Sequence, residues 1–199
     1  MTDEEFYGTA FPALLEAEAL LQSLVRRCQL ETEDGAKTKL IEKCQSRIKT
    51  ARSMTAKLNR LNLPVCARSA LTEVYDAVGI RIICGFIDDV YRVAQWLSEQ
   101  PEIEILAVKD YIAYPKPNGY RSCHLQVRIR AECARNVLAE IQIRTMAIDF
   151  WATLEHELKY KKEIRDEALI RRELKRCADE IAATDLSMQT IRDIMEGKG

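Results

Sequence analysis

Nine cations and two carboxylates stand at positions along the chain where a polyphosphate could be held: Arg47, Lys49, Lys57, Arg60, Arg81, Lys109, Lys116, Arg121 and Arg144, with Asp76 and Glu140. Cations neutralise phosphate oxygens, and Arg does so bidentately. A pure anion binder gains nothing from carboxylates among its cations. Two carboxylates together with substrate phosphates can instead hold Mg²⁺. Transfer chemistry on such a site comes from positioning and charge stabilisation rather than a covalent intermediate. The densest stretch is 109–128, KDYIAYPKPNGYRSCHLQVR, which gathers Lys109, Lys116, Tyr120, Arg121, Ser122 and His124 around a turn at 115–119. Pro-Lys-Pro-Asn-Gly cannot be helix, because each Pro removes a donor and Asn-Gly supplies positive φ. The result is a rigid loop that suits a flat base carrying phosphates, with a ring for the base and cations for the oxygens. A solvated basic hairpin tip has the same composition, and the cations and carboxylates elsewhere argue against it. There is no GxxxxGKS/T, GxGxxG or GxSxG motif, so phosphate binding of the P-loop or Rossmann kind does not apply. On the residues alone the chain reads as a nucleotide phosphotransferase or a nucleic-acid-binding domain.

The elements that must position these groups follow from periodicity. Ala10, Leu14, Ala17, Leu21, Leu24 and Cys28 predict an amphipathic helix over 10–28, followed by a polar linker at 31–38. A second helix is predicted over 38–47. Residues 46–50 then put Arg47 and Lys49 on the same side of an extended or turning segment. A helix over 51–61 carries Lys57 and Arg60 on one face and stops at Asn62 and Pro64. Strands are predicted over 76–84, 102–108, 123–129 and 137–144, with a helix over 87–100. Alternation places Arg81, His124, Gln126, Glu140, Gln142 and Arg144 opposite the apolar faces of their strands. A sheet face that merely meets water would show mixed Thr, Ser and Lys. This face reads as an open site on a scaffold packed from behind by helices. A helix over 145–161 is expected to bury Phe150, Trp151, Leu154 and Leu158. A last helix, over 165–196, spaces Ile170, Leu174, Cys177, Ile181, Thr184, Met188, Ile191 and Met195 at alternating steps of four and three. That stripe fits packing on the N-terminal helix or an oligomer interface.

The chain has 199 residues and a formal net charge of -1, from 30 basic and 31 acidic residues. Bulk charge therefore does not indicate a nucleic-acid binder. One domain with helical extensions is the simplest organisation. Seven scattered Cys without a CxxC pair read as reduced cytosolic thiols, and two His without a Cys/His cluster argue against zinc. Neither a signal peptide nor a membrane span is expected.

Six segments together resemble the synthetase domain of RelA/SpoT proteins. They are QSRIKT at 45–50, DAVGIR at 76–81, KDYI at 109–112, NGYRSCH at 118–124, EIQIRT at 140–145 and FWATLEH at 150–156. The resemblance covers roughly 40–160. It implies an α+β fold, a mixed β-sheet flanked by helices and related to nucleotidyltransferases, with helical extensions at 1–38 and 163–199 around a synthetase domain at 39–162. It implies transfer of pyrophosphate from ATP to the ribose 3′-OH of GDP or GTP, giving an alarmone, ppGpp or pppGpp, and AMP. By resemblance, Arg47 and Arg81 would sandwich adenine, and Lys49, Lys57 and Arg60 would meet the ATP phosphates. Asp76 would be a Mg²⁺ ligand, and Glu140 the second ligand and the group that activates the 3′-OH. Tyr120 would stack on guanine. Lys109, Lys116, Arg121, Ser122 and His124 would line the acceptor or its phosphates, and Gln142 would position the acceptor ribose. The partners implied are the two nucleotides, further copies of the chain in a tetramer, and an alarmone or single-stranded RNA as regulator, in the cytoplasm and without a membrane. No His-Asp pair is present, so synthesis without hydrolysis is expected. The alternatives are a toxin-type relative that modifies tRNA or an adenine nucleotide, and a non-catalytic nucleotide- or RNA-binding regulator.

Overall fold

The computed structural model describes residues 1–33, 39–160 and 166–197. A short helix α1 (Asp3–Tyr7) and a 3₁₀ turn lead into α2 (Phe11–Glu33). Strand β1 (Ile41–Ile48), α3 (Ala51–Arg60) and α4 (Ala67–Thr72) follow. Then come β2 (Val78–Cys84), α5 (Ile87–Ser98), β3 (Ile103–Asp110), β4 (Cys123–Ile129) and β5 (Leu138–Thr145). Helices α6 (Met146–Tyr160) and α7 (Glu167–Met195) complete the chain. The strands form one mixed sheet in the order β1-β2-β5-β4-β3, with β2 and β5 parallel and the other neighbours antiparallel.

Helices α2 and α5 cover one face of the sheet. Leu14, Ala17, Leu21, Leu24 and Cys28 of α2 are buried against Ile80, Ile82, Leu125, Val127, Ile141 and Ile143. The alternation in β2, β4 and β5 therefore leaves Arg81, His124, Gln126, Glu140, Gln142 and Arg144 on the opposite face.

Two expectations need correction, and one of the two alternatives for the last helix is removed. The segment 38–47 was expected to be helical, but residues 41–48 form β1, which pairs with β2 from Ile41↔Cys84 to Ile48↔Val78. Its Glu, Lys and Gln are good helix formers. Pairing with a distant strand outweighs that weak local preference.

Helix α6 buries Trp151 and Ile148, whereas Phe150 (61% exposed), Leu154 and Leu158 face outward. Its N-terminus is held by Thr145, whose Oγ1 accepts from Ile148 N at 3.1 Å. That bond and the aim of Asp149 at the sheet set a different rotation from the one the apolar stripe suggests.

Helix α7 packs on α6 and α5 rather than on the N-terminal helix. Its buried side chains at the C-terminal half are polar. Asp185 is bonded by Thr145, and Arg192 pairs with Asp89 at 2.8 Å. On its 4-3 stripe Met188, Ile191 and Met195 are exposed.

Candidate active site

Side chains on the open face line up in rows set by strand register. One row is Gln45, Arg81, Gln142, His124 and Lys109, and the next is Arg47, Gly79, Glu140 and Gln126. Gly79 contributes no side chain between Arg47 and Glu140, so a hollow opens there. It has a volume of about 290 Å³ and is lined among others by Arg47, Asp76, Gly79, Arg81, Glu140 and Gln142.

Asp76 sits just before β2 with Lys49 Nζ at 3.0 Å and Lys57 Nζ at 2.6 Å. Burial by itself would raise its pKa, but the two ammonium groups outweigh that and hold the carboxyl below the usual aspartate range. The N-terminal turn fixes this corner. Tyr7 Oη donates to Lys49 O at 2.6 Å, and Asp3 Oδ1 accepts from Ala51 N at 2.6 Å. Arg60, in the last turn of α3, is exposed and does not line the hollow.

Glu140 Oε1 lies 3.4 Å from His124 Nδ1, and His124 Nε2 lies 2.9 Å from Tyr120 Oη. The Nδ1–H tautomer satisfies both neighbours, donating to Glu140 and accepting from Tyr120. Burial raises the Glu140 pKa, and the hydrogen bond from His124 together with the nearby Lys57 charge outweighs this, so the carboxyl lies below its ordinary value and is ionised at neutral pH. Glu140 can therefore accept a proton or a hydrogen bond where it faces the hollow.

The turn between β3 and β4 is a closed hairpin. Tyr111 N donates to Ser122 O at 2.9 Å, Lys116 N to Tyr120 O at 3.1 Å and Gly119 N to Lys116 O at 2.8 Å. Gly119 takes φ +87, a conformation that favours Gly. Lys116 Nζ lies over the rings of Tyr111 (4.5 Å) and Tyr120 (5.0 Å), and Tyr111 also meets His124 edge to face. An aromatic cluster under a cation thus borders Glu140.

Two predicted residues are placed elsewhere. Ser122 is fully buried and donates to Ile143 O at 3.1 Å. Arg121 does not line the hollow, because its guanidinium is bonded to the loop's own backbone and to α7. Lys109 is exposed on β3 opposite His124.

Two further residues of this face are not singled out by the sequence: Gln45, in a segment expected to be helical, and Asp149, beside an apolar stripe. Asp149 Oδ1 lies 3.1 Å from Arg144 Nε and 3.8 Å from Arg81 Nη1. Burial pushes the Arg144 pKa down, and neighbouring Arg81 adds to this. The single carboxylate between two guanidinium groups keeps them together on the sheet.

A hollow lined by two guanidinium groups and two carboxylates, beside an aromatic and basic hairpin, has the make-up of a nucleotide-polyphosphate site. Residues 46–165 match the family described as "Region found in RelA / SpoT proteins". The GTP pyrophosphokinase YwaC of Bacillus subtilis is 43% identical over 136 residues, which span 64% of this chain and 65% of YwaC. The GTP pyrophosphokinase YjbM of the same organism is 35% identical over 155 residues, 76% of this chain and 72% of YjbM. Small alarmone synthetase 1 from Bacillus subtilis, bound to its product pppGpp, superposes with a TM-score of 0.83 at 31% identity, covering 96% of this chain and 97% of that one. The same synthetase bound to AMPCPP superposes with a TM-score of 0.72 at 28% identity, over 93% of this chain and 95% of the other. The chain belongs to the RelA/SpoT family.

Proposed function

We infer that this chain is a small alarmone synthetase. It transfers the β,γ-pyrophosphoryl group of ATP to the ribose 3′-OH of GDP or GTP. A bond forms between the 3′-oxygen and the β-phosphorus, the bond from that phosphorus to the α,β-bridging oxygen breaks, and AMP leaves. The observation that carries this reading is the juxtaposition of Glu140 with the Arg47–Arg81 hollow on one side and the Tyr120–His124 hairpin on the other. Arg47 and Arg81 line the hollow and take the adenine between their guanidinium planes. Lys49 and Lys57, held on Asp76 at the edge of the hollow, serve the donor phosphates together with exposed Arg60. Gln142, between Arg81 and His124 in its row, positions the acceptor ribose. Lys109 and Lys116 hold acceptor phosphates.

The donor set fits Mg²⁺. Asp76 and Glu140 line one hollow, and no cluster of three or more His, Cys, Asp or Glu occurs among the described residues. Mg²⁺ binds through one or two carboxylates and leaves its other positions to substrate phosphates and water. The ion would neutralise charge on the pyrophosphoryl oxygens. Glu140 accepts the 3′-OH proton, and His124 and Tyr120 keep its carboxylate oriented.

All seven cysteines are free thiols, which favours a reducing cytoplasm. Among the described residues no helix is long and apolar enough to cross a membrane. The exposed Met188, Ile191 and Met195 of α7 support assembly with further copies of the chain, and a tetramer is our proposal for it.

The test is incubation of the protein with Mg²⁺ and ATP labelled on its terminal phosphates, with GDP, GTP, GMP or tRNA in parallel. Label on a guanine nucleotide with stoichiometric AMP is expected. Label on tRNA alone would move the chain to the toxin class, and ATP binding without transfer would make it a regulator. Tyr120→Ala is expected to weaken guanine-nucleotide binding by about 1–3 kcal/mol of lost stacking. An unchanged KM for that nucleotide would remove Tyr120 from the base site.

A further inference from the structure

We propose that Arg121 and Asp179 clamp the acceptor hairpin to α7, so that Arg121 is a positioning residue and not a ligand of the acceptor phosphates. The inference rests on the synthetase reading above. Arg121 Nη1 donates to Gly119 O at 3.0 Å and to Ala178 O at 3.3 Å, and Nη2 donates to Asp179 Oδ1 at 3.0 Å. One guanidinium thus ties the tip of the hairpin to the helix backbone and to a helix carboxylate. The fork geometry of Arg suits this bridging, and Lys could not reproduce it.

The contact beneath the clamp has no slack. A Cβ added at Gly119 would stand 2.6 Å from Ala178 Cβ, so the hairpin rests directly on α7. A shift of Gly119 moves Lys116 and Tyr120 with it, because Gly119 N is bonded to Lys116 O and Lys116 N to Tyr120 O.

Helix α7 is a fixed strut at its other contacts. Trp151 Nε1 donates to Leu174 O at 2.9 Å, Thr145 bonds Asp185 at the end of β5, and Arg192 pairs with Asp89. The same helix therefore touches the end of β5, the strand that carries Glu140, and the hairpin that carries Tyr120. Through it the clamp sets the spacing between the acceptor's base platform and the group that accepts its proton. A displacement of about 1 Å in such a spacing is enough to cost a large factor in rate.

The experiment compares Asp179→Asn, Arg121→Ala and the double variant. It measures KM for GDP and for ATP separately, and hydrogen exchange at the Lys116 and Gly119 amides. Asp179 is half exposed and carries no role in the hollow, so Asp179→Asn is expected to fold. The expected result is a rise in KM for GDP of about threefold for Asp179→Asn and about tenfold for Arg121→Ala. KM for ATP should stay within about twofold, and the double variant should be no worse than Arg121→Ala, as for residues acting as one unit. Exchange at the two hairpin amides should quicken in all three. If Arg121→Ala raises KM for GDP while Asp179→Asn leaves both KM and exchange unchanged, Arg121 touches the substrate directly and the clamp is wrong. If the unaltered chain transfers to no acceptor, the synthetase reading fails, while the exchange measurement still decides whether the clamp exists.

Discussion

Glu140→Gln is expected to lower turnover by about three orders of magnitude, within the range that a positioned general base contributes. Affinity for ATP should stay within about twofold. Gln has the same shape and can still accept from His124 Nδ1 through its Oε1, so the row on the sheet is kept. What is lost is the charge that takes the 3′-OH proton. Side-by-side turnover assays and calorimetric titration with a non-hydrolysable ATP analogue measure the two quantities. Turnover surviving in the variant would place the base elsewhere. The substitution also alters acid sensitivity. The Glu140 carboxyl is depressed below its ordinary value of 4.5. The stability contributed by its ionised form is therefore complete above about pH 4.5 and is lost as pH falls through the lower folded-state value. Glu140→Gln removes that part of the acid transition.

Asp76→Asn is expected to have the next largest effect, and on two observables. Lys49 and Lys57, with side chains only 11% and 23% exposed, both sit on this one carboxylate. Removing its charge leaves two partly buried ammonium groups without a counter-ion. A fully buried pair broken this way costs several kcal/mol, and residual solvent access reduces the expected loss to about 1–3 kcal/mol. Thermal unfolding measures it. Turnover should fall by about two orders of magnitude or more, and more Mg²⁺ should be needed for half-maximal rate if Asp76 is a ligand. A variant that melts lower yet keeps its rate and its Mg²⁺ requirement would make Asp76 an anchor for Lys49 and Lys57 and nothing more.

Glu140 was legible without coordinates because it lies in a strand whose alternation is unambiguous, whereas Asp76 precedes β2 and shares its parity with inward Ile80 and Ile82, so alternation alone does not place it. Ile80 and Ile82 must go inward, so Arg81 must go outward, and the same logic sends Glu140 and Gln142 away from Ile141 and Ile143. The turn at 115–119 was equally plain, since Pro and Gly restrict the backbone whatever surrounds them. Period-2 patterning and turn chemistry are local properties, and they settled which residues share a face and where the chain reverses.

Which elements meet is not local. The edge strand β1 carries too few apolar residues to show its period, and only hydrogen bonding to β2 makes it a strand. That pairing brings Gln45 and Arg47 alongside Arg81 and Gly79. The rotation of α6 was decided by Thr145 and Asp149 rather than by its apolar stripe, which left Phe150 in solvent. Arg121 stands among phosphate-type cations in the sequence, yet α7, more than fifty residues later, supplies the carboxylate and carbonyl that occupy it. The sequence by itself thus determined the face and the chemical types of the site. Tertiary structure decided the partner of each charge, because ion pairs and helix rotation depend on groups that neither spacing nor propensity brings together.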